Sequence, residues 1–360
     1  MTATPAPGNQ NGSGAGHDHV HRIAFATPEA YGASLGDARL WTPFAHEVLR
    51  ECGLPQRRPV VAGAAGTFPT LLVGEGDDRV VVKFFGPLFH GPQCAAIERE
   101  LYALLARATD HDRGTAIPAP RMLATATLDA GSAWPWEVIV STVMPGESLT
   151  AARARGAVSP EDGVRIARFL ADVTDRLAAL TPGPDDAGVD ALLADDNHWP
   201  SFLRQQARSV TARHRTWGDL PPHLIDQLDG WLDVETLIAE GMSVRALIHG
   251  DLTADHVFGA SGREGSRWTP AGLIDFGDAR IGDRRYDLIP LFVDAFAGDP
   301  ALLRAYLAAI GTDLTTGDFP RSMLALTLLH EFRVLERWLD EHPAVRELPT
   351  LDALAMAMWG

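Results

Sequence analysis

Two short acidic motifs stand close together in the second half of the chain. The first, HGDLTADH at residues 249–256, follows the apolar run 246–248, and the second, LIDFG at residues 273–277, places Asp275 nineteen positions after His256. Because each motif follows a strand-like run, we expect Asp251 and Asp275 to converge on one cleft, where one carboxylate accepts a proton and the other binds a divalent cation. Taken singly, an aspartate beside a glycine is equally typical of a turn.

Lysine is almost absent from this chain. Of the 31 basic residues, 30 are arginine and one is Lys83. A lysine ammonium is a compact point charge, whereas an arginine guanidinium is a planar fork, so a site that requires ammonium geometry would retain a lysine. Lys83 is therefore a candidate functional residue, and a lysine surviving by chance on the surface is the alternative.

The surrounding pattern predicts two lobes. Residues 1–21 are rich in glycine, alanine and proline without apolar periodicity, and we expect a disordered tail there. An N-terminal lobe is expected over residues 22–145 and a C-terminal lobe over 146–360, divided near the strand breaker Pro145-Gly146. The first lobe should hold strands at 60–62, 70–73, 80–85 and 136–144, with helices at 39–52 and 93–106. The second should be mainly helical, at 160–180, 201–214, 222–240, 300–310 and 319–340, around a β-rich block at 246–276.

The order of these features resembles the protein-kinase-like phosphotransferases, and within them the aminoglycoside phosphotransferase-like antibiotic kinases, from about Leu40 to Leu288. HGDLxxxH followed by GLID is similar to macrolide phosphotransferases in particular. The resemblance implies an α+β, bilobal protein-kinase-like fold, with an N-terminal antiparallel sheet lobe and a larger, mainly helical C-terminal lobe. It also implies transfer of the γ-phosphoryl group of ATP or GTP to a hydroxyl group of a small molecule.

The resemblance assigns roles within the two motifs. Asp251 corresponds to the catalytic aspartate that orients the acceptor hydroxyl and takes its proton, and Asp275 to the aspartate that binds Mg²⁺. His256 stands where the superfamily generally has a second metal-binding asparagine, so Mn²⁺ is an alternative to Mg²⁺ and a pseudokinase is an alternative to an enzyme. The segment 282–288, GDRRYDL, resembles the family's GDPxYDL, with Arg284 in place of proline.

The nucleotide-binding residues follow from the same resemblance. Lys83 corresponds to the lysine that contacts the α- and β-phosphates, and Glu100 is favoured as its ion-pair partner, with Glu98 as the alternative. Residues two apart on a helix face different directions, so only one of these glutamates can point at Lys83.

Two further segments are expected to contact the nucleotide. In AGAAGT (62–67), Gly66 and Thr67 are expected to bind phosphate, although Thr67 is also an ordinary turn residue. Met144 lies in the segment expected to hold the purine, and it is equally suited to the core.

Composition restricts the partners. The formal net charge of −16 opposes binding to nucleic acid or to an anionic membrane and favours a cationic acceptor, such as an amine-bearing antibiotic. Individual carboxylates in the helical lobe remain unassigned, Glu331 among them, because most charged clusters are solvated. Cys52 and Cys94 cannot form a disulfide framework, which favours the cytoplasm. A metabolic kinase acting on a sugar, an amino alcohol or a biosynthetic intermediate is a second interpretation.

Overall fold

The N-terminal part of the chain is built on one antiparallel sheet. The computed structural model describes residues 23–25, 27–63, 66–111, 116–180, 198–261 and 267–360. The sheet has the strand order β1-β2-β3-β5-β4. Its elements are α1 (Pro28–Ser34), α2 (Ala38–Glu51), β1 (Val60–Ala62), β2 (Thr70–Val73), β3 (Val80–Phe85), α3 (Gly91–His111), β4 (Met122–Leu128) and β5 (Trp136–Thr142). The strands predicted at 60–62, 70–73 and 80–85 are confirmed residue for residue, whereas β4 was not predicted.

Alternation along β3 explains how one strand serves both the core and the cleft. Val82 and Phe84 face a cluster that includes Trp41 of α2, while Phe85 faces the cluster that includes Leu101 of α3. Successive side chains of a strand point to opposite faces, so Lys83 shares the face of Phe85. Strand β3 pairs with β2 on one side and with β5 on the other, and this central position holds the backbone of Lys83 firmly.

The C-terminal part is mainly helical. After β5 come β6 (Glu147–Ser148), α4 (Leu149–Ala154), α5 (Pro160–Ala179), α6 (His198–Trp217), α7 (Pro222–Ile225), α8 (Leu228–Trp231) and α9 (Val234–Gly241). The β-rich block contains β7 (Arg245–Ile248), β8 (Val257–Ser261), β9 (Trp268–Leu273) and β10 (Arg280–Asp283), arranged as a β6-β8-β9 sheet and a β7-β10 pair. The chain ends with α10 (Leu288–Pro290), a π-helical turn (Leu291–Ala295), α11 (Pro300–Ala309), α12 (Phe319–Leu328), α13 (Leu335–Glu341) and α14 (Leu351–Trp359).

Two long helices predicted from periodicity are divided. The segment predicted as one helix over 222–240 forms α7, α8 and α9, and Asp233 starts the last of them by accepting a hydrogen bond from the Thr236 N–H. The helix predicted over 319–340 is interrupted after Leu329, and the interruption brings Glu331 toward β10. The first break is marked by the local N-cap at Asp233, whereas the second depends on the contact of Glu331 with Arg280, 51 positions away, which local periodicity does not register.

The fold is thus α+β, with an antiparallel N-terminal sheet and a larger, mainly helical C-terminal part, as the sequence predicted. The tail expected over residues 1–21 lies outside the described residues. Among the residues that the structure describes, no helix is both long and apolar enough to cross a membrane.

Candidate active site

The loop that follows β7 carries the first acidic motif. Gly250 has φ of +86°, and a Cβ atom on it would lie 2.2 Å from the carbonyl oxygen of Asp278, so only glycine permits this approach. The buried carboxylate of Asp287 accepts hydrogen bonds from the backbone N–H groups of His249 at 3.0 Å and Gly250 at 2.8 Å. Burial nevertheless raises the pKa of Asp287 to about 6. Asp287 therefore fixes the start of the loop that carries Asp251.

Both ring nitrogens of His249 make hydrogen bonds that hold this loop. Its Nε2–H donates to the carbonyl of Ile274 at 3.0 Å, and its Nδ1 accepts from the backbone N–H of Asp251 at 3.4 Å. Burial lowers the pKa of His249 to about 3, so the ring is neutral. Because both ring nitrogens are engaged, His249 is not available as a metal ligand or as a base.

His256 stands between the two motif aspartates. Its Nδ1–H donates to the backbone carbonyl of Asp251 at 2.6 Å, and the same nitrogen lies 3.7 Å from the Asp251 carboxylate. Its Nε2 lies 3.7 Å from Oδ2 of Asp275. Burial alone would lower the pKa of His256, but the carboxylates of Asp275 and Asp251 outweigh it and raise that pKa. The structure thus brings together Asp251, His256 and Asp275, as the sequence predicted.

The two aspartates differ in their affinity for a proton. Burial raises the pKa of Asp251, and the negative charge of Asp275 adds to this effect, so Asp251 is suited to accept a proton. The pKa of Asp275 lies below its usual range because Lys83 and His256 outweigh the effect of burial. Asp275 also has φ of +64°, a backbone conformation that is unusual outside glycine and is typical of functional sites.

Lys83 pairs with Glu98, so the prediction that favoured Glu100 was wrong. The Lys83 Nζ lies 2.8 Å from Oε2 of Glu98 and 2.9 Å from Oδ1 of Asp275. Glu98 is 3% exposed and also accepts from the hydroxyl of Tyr102 at 3.0 Å. Glu100, on another face of α3, lies 3.5 Å from Nε of Arg99. The error arose because helical period excludes one of two glutamates but does not say which, since the rotation of the helix is set by its packing.

Two carboxylates keep the Lys83 side chain in its charged form. Burial would lower the pKa of Lys83, but the carboxylates of Asp275 and Glu98 more than compensate, and the pKa is raised above its usual range. The pKa of Glu98 is raised by burial, which outweighs the attraction of Lys83. The Lys83 ammonium therefore stays charged and faces two carboxylates.

The segment expected to bind phosphate, which contains Gly66 and Thr67, leads into the strand beside Lys83. Gly66 and Thr67 are exposed, while Ala64 and Ala65 fall outside the described residues. Thr70 of β2 is directly opposite Lys83, so the segment that contains Gly66 and Thr67 enters the sheet beside the lysine.

Met144 occupies a different environment. It is 7% exposed, and its methyl group lies so close to Gly272 that a Cβ there would be 2.3 Å from it. Met144 is therefore part of the core, and its contact with a purine stays a prediction.

A second group of charges lies beside Asp251. The guanidinium of Arg280 lies 2.5 Å from the carboxylate of Glu331 and 4.4 Å from the ring centroid of Phe202. Burial raises the pKa of Asp278 to about 7, with further contributions from Glu331 and Asp251. The sequence analysis did not place these residues beside Asp251, because Glu331 reaches this position only through the break between α12 and α13.

Arg284, which replaces the proline usual in the resembling family, has partners of its own. Its guanidinium lies 2.6 Å from the carboxylate of Asp175 on α5 and donates to the Thr312 hydroxyl at 2.8 Å. The departure from the family pattern is thus accommodated by an ion pair with α5.

The donor set fits a divalent cation only in part. In the described ranges, no group of three or more His, Cys, Asp or Glu side chains is placed to hold a metal ion. Asp275 directs Oδ1 toward Lys83 and Oδ2 toward His256, so Oδ2 is the oxygen suited to a cation. Mg²⁺ commonly takes one or two carboxylates and completes its coordination with waters and substrate phosphates, which this site could accommodate. His256 offers a softer nitrogen ligand.

A lysine on a five-stranded sheet, paired with a glutamate of the following helix α3 and with an aspartate suited to a cation, and a second aspartate on a nearby loop together define the class of protein-kinase-like phosphotransferases. The family model described as "Phosphotransferase enzyme family" (APH) matches residues 60–324. The chain belongs to this family.

One curated relative is matched over only part of its length. A protein described as lysine-specific demethylase JMJ21, from Arabidopsis thaliana, is 27% identical over 208 residues. The match covers 50% of this chain and 22% of that protein, so the chain matches about a fifth of the curated relative.

Solved structures share the fold. The GDP complex of wild-type aminoglycoside 2'-phosphotransferase-IIIa has a TM-score of 0.56 at 18% identity, covering 89% of this chain and 97% of that one. A microcompartment-associated aminopropanol kinase has a TM-score of 0.51 at 15% identity, covering 88% and 93%. At these identities the likeness establishes a common fold.

Proposed function

We propose that this protein transfers the γ-phosphoryl group of ATP or GTP to a hydroxyl group of a small cationic molecule, with an antibiotic or a related natural product as the favoured acceptor. The observation that carries the proposal is the alignment of Lys83, Asp275, His256 and Asp251 in one continuous row of contacts. We place the reaction in the cytoplasm, in keeping with two free thiols.

The chemistry assigned to the row is positioning and proton transfer. Asp251 orients the acceptor hydroxyl and takes its proton as the oxygen bonds to the γ-phosphorus. The bond from that phosphorus to the bridging oxygen breaks, and the nucleoside diphosphate leaves. Lys83 contacts the α- and β-phosphates, and Glu98 holds Lys83 in place.

Other residues complete the nucleotide site. Gly66 and Thr67 contact phosphate oxygens, and the segment around Met144 holds the purine. Asp275 and His256 would hold Mg²⁺ or Mn²⁺, which supplies positive charge to the phosphates when bound.

The acceptor class follows from the charges beside Asp251. Asp278 and Glu331 add two carboxylates, and Arg280 is the cation that the structure pairs with Glu331. With a pKa of about 7, Asp278 is only partly ionised at neutral pH, and an ammonium group beside it would favour the ionised form. A cationic acceptor therefore offsets charge that the protein alone leaves unbalanced.

A metabolic amino-alcohol kinase is the second candidate. The aminopropanol kinase that shares this fold favours it, and the same carboxylates would accept an amino alcohol. The two candidates differ in acceptor and share the proposed mechanism.

Purified protein incubated with ATP or GTP, and with Mg²⁺ or Mn²⁺, tests both candidates. The acceptor panel contains macrolides, aminoglycosides and amino alcohols, and mass spectrometry detects a gain of about 80 Da, one phosphoryl group. Phosphorylation of an antibiotic supports the first candidate, and phosphorylation of an amino alcohol alone supports the second. Nucleotide binding without transfer to any acceptor of the panel contradicts both candidates and favours a dedicated biosynthetic substrate or a pseudokinase.

Asp251→Asn tests the role of Asp251 as the base. The change keeps the shape of the side chain and removes its capacity to accept a proton, so transfer should fall at least about a hundredfold while nucleotide affinity is retained. Transfer within about tenfold of the unmodified protein, or about 1.4 kcal/mol of barrier, would show that Asp251 is not the base.

A further inference from the structure

The N-terminal helix reaches the segment proposed to bind phosphate. Tyr31 of α1 is 1% exposed, and its hydroxyl donates to the backbone carbonyl of Thr67 at 2.8 Å. The two residues are 36 positions apart in sequence. Thr67 itself is exposed, so this hydrogen bond anchors a peptide group at the surface to the buried interior.

The anchored peptide lies close to the lysine in space. Phe68, the next residue, packs against Phe85 with ring centroids 4.8 Å apart, and its own ring centroid is 5.8 Å from the Lys83 Nζ. Two residues further on, Thr70 pairs with Lys83 across the sheet. The Thr67–Phe68 peptide plane is therefore held between the Tyr31 hydroxyl on one side and the surroundings of Lys83 on the other.

The ring of Tyr31 has a separate role from its hydroxyl. The ring is stacked with Trp136 of β5 at 6.3 Å, and it contacts Phe89, in the connection between β3 and α3, at 5.7 Å. These contacts fix the ring in the N-terminal core, and they do not require a hydroxyl group. A buried tyrosine hydroxyl normally needs a hydrogen-bond partner, and here the partner is the Thr67 carbonyl.

We infer that Tyr31 is a positioning residue for nucleotide binding: its hydroxyl fixes the Thr67–Phe68 peptide and so sets the geometry with which the segment containing Gly66 and Thr67 meets the phosphates. The inference rests on the proposed function, because it assumes that Gly66 and Thr67 contact the nucleotide. Tyr31 belongs to a helix outside the sheet and lies 29 positions before Val60, the first residue of β1.

Tyr31→Phe removes the hydroxyl and keeps the ring contacts. The matched control is Ser34→Ala, which removes another buried hydroxyl of the same helix, one that donates to the Tyr31 carbonyl at 2.7 Å and does not touch Thr67. Affinities are measured by calorimetry for a non-hydrolysable nucleoside triphosphate and for the corresponding nucleoside without phosphates. Melting temperatures are recorded for both variants.

We expect Tyr31→Phe to weaken triphosphate binding by about two- to tenfold, the effect of one ordinary hydrogen bond. Binding of the nucleoside should be unchanged, and kcat at saturating nucleotide should be retained. Ser34→Ala should leave both affinities unchanged, although its melting temperature falls by an amount similar to that of Tyr31→Phe.

Two results would overturn the inference. Equal loss of nucleoside and triphosphate affinity in Tyr31→Phe would show a general structural role, and unchanged triphosphate affinity would show that the hydroxyl does not position the segment. If the unmodified protein binds no nucleotide, the proposed function itself is wrong, and this outcome is distinct from either of the others.

Discussion

Replacing Glu98 by alanine tests the charge arrangement around Lys83 most directly. The Lys83 ammonium lies between Glu98 at 2.8 Å and Asp275 at 2.9 Å. Without Glu98, Asp275 becomes the one carboxylate that the structure places against this ammonium, and Tyr102 loses the acceptor of its hydroxyl. Lys83 is then drawn toward Asp275, the residue proposed to bind the cation.

The expected loss follows from the kind of interaction removed. A hydrogen bond to a charged group contributes about 1.5–3 kcal/mol, more than a neutral one. If this energy serves to place the ammonium on the phosphates, kcat/KM for the nucleotide should fall by about tenfold to 150-fold, since each 1.36 kcal/mol is a factor of ten. The free energy of unfolding should fall as well, because breaking a buried ion pair leaves Lys83 less well compensated.

Glu100→Ala is the control, since it removes the same residue type from the same helix two positions away. Glu100 contacts Arg99 at 3.5 Å, and surface pairs of this kind contribute about 0–1 kcal/mol, so kcat/KM should stay within about twofold. The assay is steady-state transfer at saturating acceptor over a range of nucleotide concentrations. A loss in Glu100→Ala equal to or greater than that in Glu98→Ala would refute the assignment of Glu98.

Three further changes test other parts of the site. Asp287→Asn should lower the free energy of unfolding by about 1–3 kcal/mol in urea titrations, because an amide has one acceptor oxygen for two backbone N–H groups and leaves one unsatisfied. Asp278→Asn should raise the melting temperature at pH 8 more than at pH 5. Asp278 has a folded-state pKa of about 7, above its ordinary value, so the stability it contributes is fully present below about pH 4 and lost as the pH rises through 7. His256→Asn should shift the preference in transfer assays from Mn²⁺ toward Mg²⁺, because an amide oxygen is a harder ligand than an imidazole nitrogen.

Each of these has an outcome that would contradict it. Unchanged urea stability in Asp287→Asn would show that the loop does not depend on that carboxylate. A gain in melting temperature of equal size at both pH values would mean that the effect of Asp278→Asn is not one of ionisation. An unchanged ratio of activity with the two cations would remove His256 from the cation site.

Some of the site could be predicted because it is encoded locally. Strand β3 was predicted with its correct bounds, since a short run of β-branched and aromatic residues between turns is a strong local signal. The same applies to the loops that hold Asp251 and Asp275, each of which follows an apolar strand. The position of His256 close to Asp251 and Asp275 was predicted for the same reason.

Other features depend on partners that are distant in sequence. Strand β4, with its mixed pattern MLATATL, was missed because its pairing with β5 compensates for weak alternation. The break before α13 is supported by Tyr286, whose hydroxyl accepts the backbone N–H of Glu331 at 3.2 Å from 45 positions earlier in the chain. Both interactions join residues farther apart in sequence than one turn of a helix or one repeat of a strand.

By itself the sequence determined which chemistry is available: one ammonium, two aspartates after short strands, and a histidine between them. Only the tertiary structure decided which groups meet, choosing Glu98 over Glu100 for Lys83 and bringing Tyr31 to Thr67. The physical reason is that residue type and local period act within a few positions. The rotation of α3 and the docking of α1 are set by packing against the whole sheet.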